Sequence, residues 1–155
     1  MKKTHIKFLI FALLAVLVLT FIFANSMKTG EESNDISTSV METILKIIDP
    51  QGKLDRKIVH FLVRKAAHFI EFFTFGVCLC GMALCVLDET HRLYAALTLF
   101  IALFAAVIDE FIQSFTSRTS SAKDVLLDFA GAFTGVLVAF LIGKLRRKKK
   151  AKKNT

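Results

Sequence analysis

The sequence of 155 residues is poor in residues that interrupt helices, with one proline and seven glycines. Tryptophan is absent and only one tyrosine is present, so the aromatic belt that often marks membrane interfaces is nearly missing. The three cysteines, Cys78, Cys80 and Cys85, are odd in number and share one apolar stretch, which excludes a disulfide-stapled secreted domain. No glycine-rich phosphate loop, nucleophile elbow or zinc-finger spacing appears. The low proline and glycine content fits long helices.

Apolar residues, by contrast, are abundant: 54% of the residues are hydrophobic, and most of them fall into four blocks. A helix that spans a membrane needs ~20 mostly apolar residues. Inside lipid, a segment that is not part of a closed β-barrel can form all of its backbone hydrogen bonds only as a helix. The blocks therefore predict an all-α, polytopic membrane protein, a single domain over residues 1–155. Its four predicted transmembrane helices cover about residues 6–25, 66–87, 93–112 and 125–142. This pattern excludes an ordinary cytosolic enzyme.

Basic residues predict the orientation of these spans. Lys2, Lys3 and Lys7 lie at the start of the first span, and eight Lys or Arg residues lie in the tail 144–155. Four spans place both termini on one side, and both are basic, so we expect both to be cytoplasmic. The segment 26–65 then faces outward. The basic tail also accounts for much of the net charge of +8, and we expect it to contact the inner leaflet, with no nucleic acid bound.

The outer segment 26–65 contains a short predicted amphipathic helix over residues 37–48. Its apolar residues recur at helical spacing. Ser39 and Glu42 have the spacing of a capping box at the start of a helix, and residues 49–52 predict its end. We expect this helix to lie on the outer membrane surface. The alternative is a loop with chance periodicity.

Ionisable residues inside membrane spans are costly, so they mark candidate sites. Along the second helix Arg64, His68 and Glu71 lie on one helical stripe, which His60 begins. Lys65 lies about a quarter turn away on the helix, and we expect it to reach the outer headgroups.

The third span ends in Asp109, Glu110 and Gln113, and the fourth begins with Asp124 and Asp128. Asp109 and Gln113 are i,i+4 neighbours, as are Asp124 and Asp128, so each pair shares a helix face. These stripes lie at the same end of the membrane as that of the second span. In the predicted orientation this is the outer end.

Gly131 and Gly135 continue the face of Asp124 and Asp128 in the fourth span. Their Gly-x-x-x-Gly spacing lets another helix approach closely. We therefore expect the carboxylate-bearing face of the fourth helix to pack against a neighbour. Arg118 lies in the loop between the third and fourth spans, near the same end.

These residues suggest a site with two kinds of groups. A protonated carboxyl group near an imidazole is what general acid catalysis needs. Four residues are candidates for this role: His68, Glu71, Asp109 and Glu110. The same groups suit a divalent cation, and the sequence leaves open whether a metal is bound. The structural alternative is that they only join helices through salt bridges.

The basic residues at the mouth of this site suit a phosphate or pyrophosphate headgroup. Six residues are candidates for ligand binding: Arg64, Lys65, Gln113, Arg118, Asp124 and Asp128. Membrane lipids are the expected partners, and a homo-oligomer is left open.

At these residues the sequence resembles the VanZ-like family of bacterial membrane proteins. Residues 64–73 resemble the family's R-K-x-x-H-F-x-E-Y segment, and residues 109–118 resemble its D-E-x-x-Q … R segment. Residues 124–135 resemble its D-x-x-x-N-x-x-G-x-x-x-G segment. Phe72 stands where Tyr is usual, and Asp128 stands where Asn is usual.

The resemblance implies a multi-pass protein of the bacterial cell membrane, linked to low-level teicoplanin resistance. We therefore expect a protein that binds or modifies an anionic, lipid-linked molecule in the outer leaflet. The lipid-linked precursor of the cell wall is one candidate. The alternatives are a structural or partner-binding membrane protein without catalysis, and a small proton-coupled transporter.

Overall fold

A computed structural model describes residues 3–86, 91–116, 118 and 120–153. These residues form five α-helices: α1 (Lys3–Ser26), α2 (Gly30–Ile48), α3 (Arg56–Val86), α4 (His91–Gln113) and α5 (Ala122–Lys153). Within the described residues, all of these helices except α2 are long and apolar enough to span a membrane. The prediction of an all-α chain with four transmembrane helices is confirmed. Lys2, position 87 of the second predicted span and the tail residues 154–155 lie outside the described residues.

All four transmembrane helices extend beyond the predicted spans, and two of them do so by many residues. Helix α3 begins at Arg56, before the predicted span 66–87, and α5 continues to Lys153 through most of the basic tail. The difference arises because hydropathy detects only the lipid-facing length, whereas a helix continues for as long as its backbone bonds are formed.

The amphipathic helix α2 exists but begins earlier than residues 37–48. The predicted capping box at Ser39 is wrong, because the box forms at Thr29 instead. Glu32 N donates to Thr29 Oγ1 over 3.2 Å, and Thr29 N donates to Glu32 Oε2 over 2.9 Å. Ser39 lies inside the helix, where its carbonyl accepts from Thr43 Oγ1. The predicted end is confirmed, with Asp49 as the C-cap residue.

Helix α3 is the centre of the bundle and packs most extensively against α5 and α1. Three glycines allow backbone contact between α3 and α5. A Cβ atom at Gly135 would lie 2.1 Å from Phe73 O, and one at Gly131 would lie 2.5 Å from Phe69 O. A Cβ atom at Gly76 would meet the backbone of Ala132. The pair Gly131 and Gly135 therefore lies at the α3–α5 contact, as the Gly-x-x-x-Gly pattern implies.

The interior of the bundle is apolar along most of its length. Its buried residues include Ile22, Phe72, Phe75 and Ala106. Phe72, which stands where the VanZ-like pattern has Tyr, is fully buried in this core, so no hydroxyl group needs a partner there. The outer surface exposes large apolar side chains such as Phe100, as expected of a surface that faces lipid.

Candidate functional site

One end of the bundle gathers polar side chains from all four transmembrane helices and from the loop before α5. Helices α1 and α4 end there, α5 begins there, and the N-terminal half of α3 passes beside them. We call six of these residues, which contact one another, the polar cluster: Ser26, His68, Asp109, Gln113, Arg118 and Asp128. The antiparallel arrangement of the helices brings them together.

Asp109 of α4 is fully buried and is held by two neighbours. Ser26 Oγ donates to Asp109 Oδ1 over 2.5 Å. Gln113 Nε2 donates to Asp109 Oδ2 over 2.6 Å and to Ser26 Oγ over 3.2 Å. The bond between Gln113 and Asp109 follows from their i,i+4 spacing on one helix face. Both carboxylate oxygens of Asp109 are therefore fixed in position.

His68 of α3 lies between two carboxylates from different helices. Its Nδ1 atom is 3.6 Å from Asp128 Oδ1 and 4.0 Å from Asp109 Oδ2. Asp128 is 0% exposed. Neither of its carboxylate oxygens has a hydrogen-bond partner among the residues that the structure describes. Because a buried carboxylate without a partner is costly, Asp128 needs a proton, a cation or a ligand to satisfy it.

Arg118, in the loop between α4 and α5, contacts the other side of the same imidazole ring. Its Nη2 atom lies 3.2 Å from His68 Nε2. A guanidinium group only donates hydrogen bonds, so Nε2 accepts and the ring proton lies on Nδ1, facing the carboxylates. Burial lowers the pKa of Arg118, and the nearby Arg64 lowers it further, whereas Asp109 raises it.

Glu71 lies one helical turn from His68 and bonds to the end of α1. Asn25 Nδ2 donates to Glu71 Oε1 over 2.9 Å, and Lys28 Nζ donates to Asn25 Oδ1 over 2.9 Å. This chain of contacts links the predicted acid Glu71 to a basic residue that follows α1. The carboxylate therefore belongs to the same end of the bundle as the polar cluster.

Three further candidates lie beside the cluster. Glu110 Oε1 accepts from the backbone N–H of Ser121 over 2.5 Å, next to the start of α5. Its Oε2 atom has no hydrogen-bond partner within the described part of the chain. Lys65 forms an ion pair with Asp124, and the two side chains are 30% and 27% exposed. Lys65 therefore contacts a carboxylate of α5.

Two neighbouring cavities open at this end. The smaller has a volume of about 90 Å³ and the larger about 340 Å³. The polar residues of the smaller cavity are Asn25, Lys28, Ser33, Ser37, Arg64, His68, Glu71 and Arg118. The polar residues of the larger cavity are His60, Arg64, Lys65, Arg118 and Asp124. Arg64 and Arg118 line both cavities, so the two cavities share two basic residues.

The structure thus brings most of the predicted site residues together and adds others. Asn25, Ser26, Lys28 and Ser33 are absent from the predicted site, although all four contact it or line its cavities. The available signal was that Asn25 and Ser26 are consecutive polar residues at the end of an otherwise apolar helix, at the same end as the acidic stripes.

Comparison with known proteins places these features in a family. The searches of curated proteins and of solved structures found no match. The sequence model of the VanZ/LLP1 family matches residues 10–143, a range that includes the four transmembrane helices for most of their length and every residue of the polar cluster. The chain is therefore a multi-pass membrane protein that belongs to the VanZ/LLP1 family.

Proposed function

We propose that the protein binds the phosphate or pyrophosphate headgroup of a lipid-linked molecule at the end of the bundle that carries the polar cluster. The observation that carries this proposal is the placement of Arg64 and Arg118 in the walls of both cavities. Lys28 adds a third cation in the smaller cavity, and Lys65 adds one in the larger. One guanidinium group can donate two parallel hydrogen bonds to the oxygens of a phosphate. Two arginines at one site therefore suit a headgroup with one or two phosphates.

A lipid-linked molecule fits better than a free anion because apolar surface adjoins the cations. Phe61 of α3 lines the larger cavity and is 57% exposed. The next residue, Leu62, is exposed as well. A headgroup held by Arg64 and Arg118 would leave its hydrocarbon chain beside these side chains, which suit a lipid environment as well as the chain does.

The second part of the proposal is acid/base chemistry on the bound headgroup. His68 and Glu71 both line the smaller cavity, and His68 faces two carboxylates. An imidazole and a carboxyl group that contact one phosphate ester are equipped to move a proton during its cleavage or transfer. Asp109 supports this step by facing His68, and Glu110 by anchoring the residue before α5.

We also propose an orientation in the membrane and a cellular role. The cluster end faces outward, and both termini are cytoplasmic, which the basic residues of α1 and of the tail support. The protein then acts on a lipid-linked precursor of the cell wall in the outer leaflet. Less of that precursor is captured by teicoplanin, which gives low-level resistance. The resemblance to the VanZ-like family supports this role.

Binding is tested with purified protein in lipid nanodiscs and farnesyl diphosphate as the probe, followed by ³¹P NMR titration. Arg64→Gln and Arg118→Gln are expected to weaken binding by roughly tenfold or more, because each removes a charge-assisted contact. Arg56→Gln is the matched control. Arg56 lies on the same helix, but its side chain is 60% exposed and pairs with Glu42. Equal binding by all variants would refute the headgroup site.

The same titration tests the chemistry, because any released phosphate appears as a separate ³¹P signal. Loss of that signal in Glu71→Gln at unchanged affinity assigns Glu71 to catalysis. Absence of the signal in the wild type limits the proposal to binding.

The cellular role is tested by teicoplanin susceptibility of a deletion strain that carries wild type, Arg118→Gln or Arg56→Gln at equal membrane abundance. Only Arg118→Gln is expected to lose protection.

A further inference from the structure

We infer that His68, Asp109 and Asp128 form a binding site for one divalent transition-metal cation such as Mn²⁺. Each residue comes from a different transmembrane helix: α3, α4 and α5. Each offers one ligand atom, and the three atoms lie within 4.8 Å of one another. Such a cation would tie three helices together in addition to the α3–α5 glycine contact.

The unsatisfied carboxylate of Asp128 is the independent observation that points to a ligand. The residue is 0% exposed, and neither of its oxygens has a hydrogen-bond partner among the described residues. Its Oδ1 atom faces His68 Nδ1 over 3.6 Å, too far for a good hydrogen bond. Buried charges in proteins are paired or coordinate metals, so a cation at this point satisfies Asp128.

Asp109 has the supporting contacts that metal-binding carboxylates usually have. Ser26 Oγ and Gln113 Nε2 each donate to one of its oxygens. A carboxylate oxygen has two lone pairs, so an oxygen that accepts one hydrogen bond still has a lone pair for a cation. Hydrogen-bonded neighbours of this kind hold a ligand in the orientation that coordination needs.

The ligand set selects the class of cation. One imidazole nitrogen with two carboxylate oxygens is a mixed set that suits first-row divalent metals such as Mn²⁺ better than a soft ion. Ligand atoms about 2.0–2.2 Å from one ion stand roughly 3–4 Å apart. The present spacing therefore closes onto an ion with a shift of about 1 Å. Three protein ligands leave coordination positions for water or a phosphate oxygen.

Coordination changes the partner of Arg118. His68 Nδ1 binds a metal only when the ring proton is on Nε2, where Arg118 Nη2 now lies at 3.2 Å. Two donors cannot face each other, so the Arg118 side chain must leave the ring. Arg118 lines both cavities, where a phosphate would accept its hydrogen bonds. Metal and headgroup then strengthen each other's binding, a second step that rests on the proposed function.

The first step is tested with Mn²⁺ alone, measured by electron paramagnetic resonance on the full chain in detergent. The wild type is expected to bind one Mn²⁺ per chain. Asp128→Asn is expected to weaken binding by roughly tenfold or more, because one anionic ligand is lost. Asp124→Asn is the matched control, since Asp124 lies one turn earlier on α5 and pairs with Lys65. Thermal melting of each variant establishes that it is folded.

A nitrogen coupling to Mn²⁺, seen by pulsed resonance in the wild type and lost in His68→Gln, would establish imidazole coordination even if Asp128→Asn fails to fold. The inference is overturned if the wild type binds no Mn²⁺ stoichiometrically, or if Asp124→Asn and Asp128→Asn weaken binding equally. Farnesyl diphosphate is then added. Mn²⁺ binding that tightens in the wild type but not in Arg118→Gln supports the displacement of Arg118, because the diphosphate's own affinity for Mn²⁺ is the same in both. Unchanged Mn²⁺ binding refutes that displacement and leaves the metal site standing.

Discussion

Ser26, the last residue of α1, donates a 2.5 Å hydrogen bond to Asp109 of α4, a residue 83 positions later in the chain. Both residues are buried, and Gln113 bonds to both of them. The contact joins the ends of the first and third transmembrane helices. It also sets the direction in which the Asp109 carboxylate faces His68.

Replacement of Ser26 by Ala is therefore expected to destabilise the protein. The change leaves the buried Asp109 Oδ1 without its donor, which costs about 1–3 kcal/mol. The measurement is thermal unfolding in detergent with a thiol-reactive dye, because Cys78 and Cys80 are buried and react on unfolding. Ser114→Ala is the control, since its exposed hydroxyl bonds only to the nearby Phe111 carbonyl. Equal melting temperatures for the two variants would contradict the role of Ser26.

Replacement of Gly135 by Ala is expected to separate α3 from α5. The new Cβ atom would lie 2.1 Å from Phe73 O, and a backbone carbonyl cannot turn away as a side chain can. Overpacking of this kind costs about 1–3 kcal/mol or more. Gly143→Ala on the same helix is the control, because its Cβ would meet only the flexible end of Leu84. The yield of folded, monodisperse protein measures the difference, and a larger loss for Gly143→Ala would refute the close contact.

Lys65 and Asp124 are expected to be coupled only weakly. Their side chains are 30% and 27% exposed, so water screens much of their attraction. A double-mutant cycle with Lys65→Met and Asp124→Asn is expected to give a coupling free energy of about 0.5–1 kcal/mol from thermal unfolding. High salt is expected to reduce this value. A salt-independent coupling of several kcal/mol would show that the pair is shielded from water.

The start of α2 is expected to loosen in acid. The backbone N–H of Thr29 donates to Glu32 and lowers the pKa of that carboxyl, and the Thr29 side chain lowers it further. The stabilisation is present above the ordinary value of 4.5 and is lost as the pH falls through the lowered pKa of the folded state. Amide hydrogen exchange of the first turn, corrected for intrinsic rates, measures this loss.

Glu32→Gln is the matched variant for this measurement, because the amide keeps an acceptor oxygen but does not titrate. Its first turn is expected to show no change in protection over the same pH range. Thr29→Ala removes the cap and is expected to destabilise the start of α2 by about 0.5–2 kcal/mol. Parallel pH profiles for wild type and Glu32→Gln would refute the contribution of the carboxylate.

Local patterns in the sequence predicted much of this architecture. The four apolar blocks correspond to four long helices in the structure. They could be predicted because the length and hydropathy of a transmembrane segment are properties of that segment alone. The spacing of Asp109 and Gln113 placed them on one face, where they are hydrogen-bonded. The spacing of Gly131 and Gly135 marked the face of α5 that contacts α3.

The remaining features depend on how the helices pack against one another, which local sequence patterns do not specify. Thr29 with Glu32 and Ser39 with Glu42 have the same capping-box spacing, and only the first pair follows the end of another helix. Asn25 and Ser26 lie at the site because α1 packs against its neighbours in one particular register. Ser26 and Asp109 lie on different helices, so no periodicity within α1 predicts their contact. Only the tertiary structure shows it.

The origin of the polar cluster in four separate helices has a consequence for biosynthesis. A nascent chain emerges from its N-terminus, so Ser26 and His68 enter the bilayer before Asp109, and Asp128 enters last. Until α5 inserts, the half-built bundle lacks the closest-packing partner of α3 and the second carboxylate that faces His68. A truncated or stalled chain therefore exposes costly polar groups to lipid. The cluster is therefore complete only when the last transmembrane helix has joined the bundle.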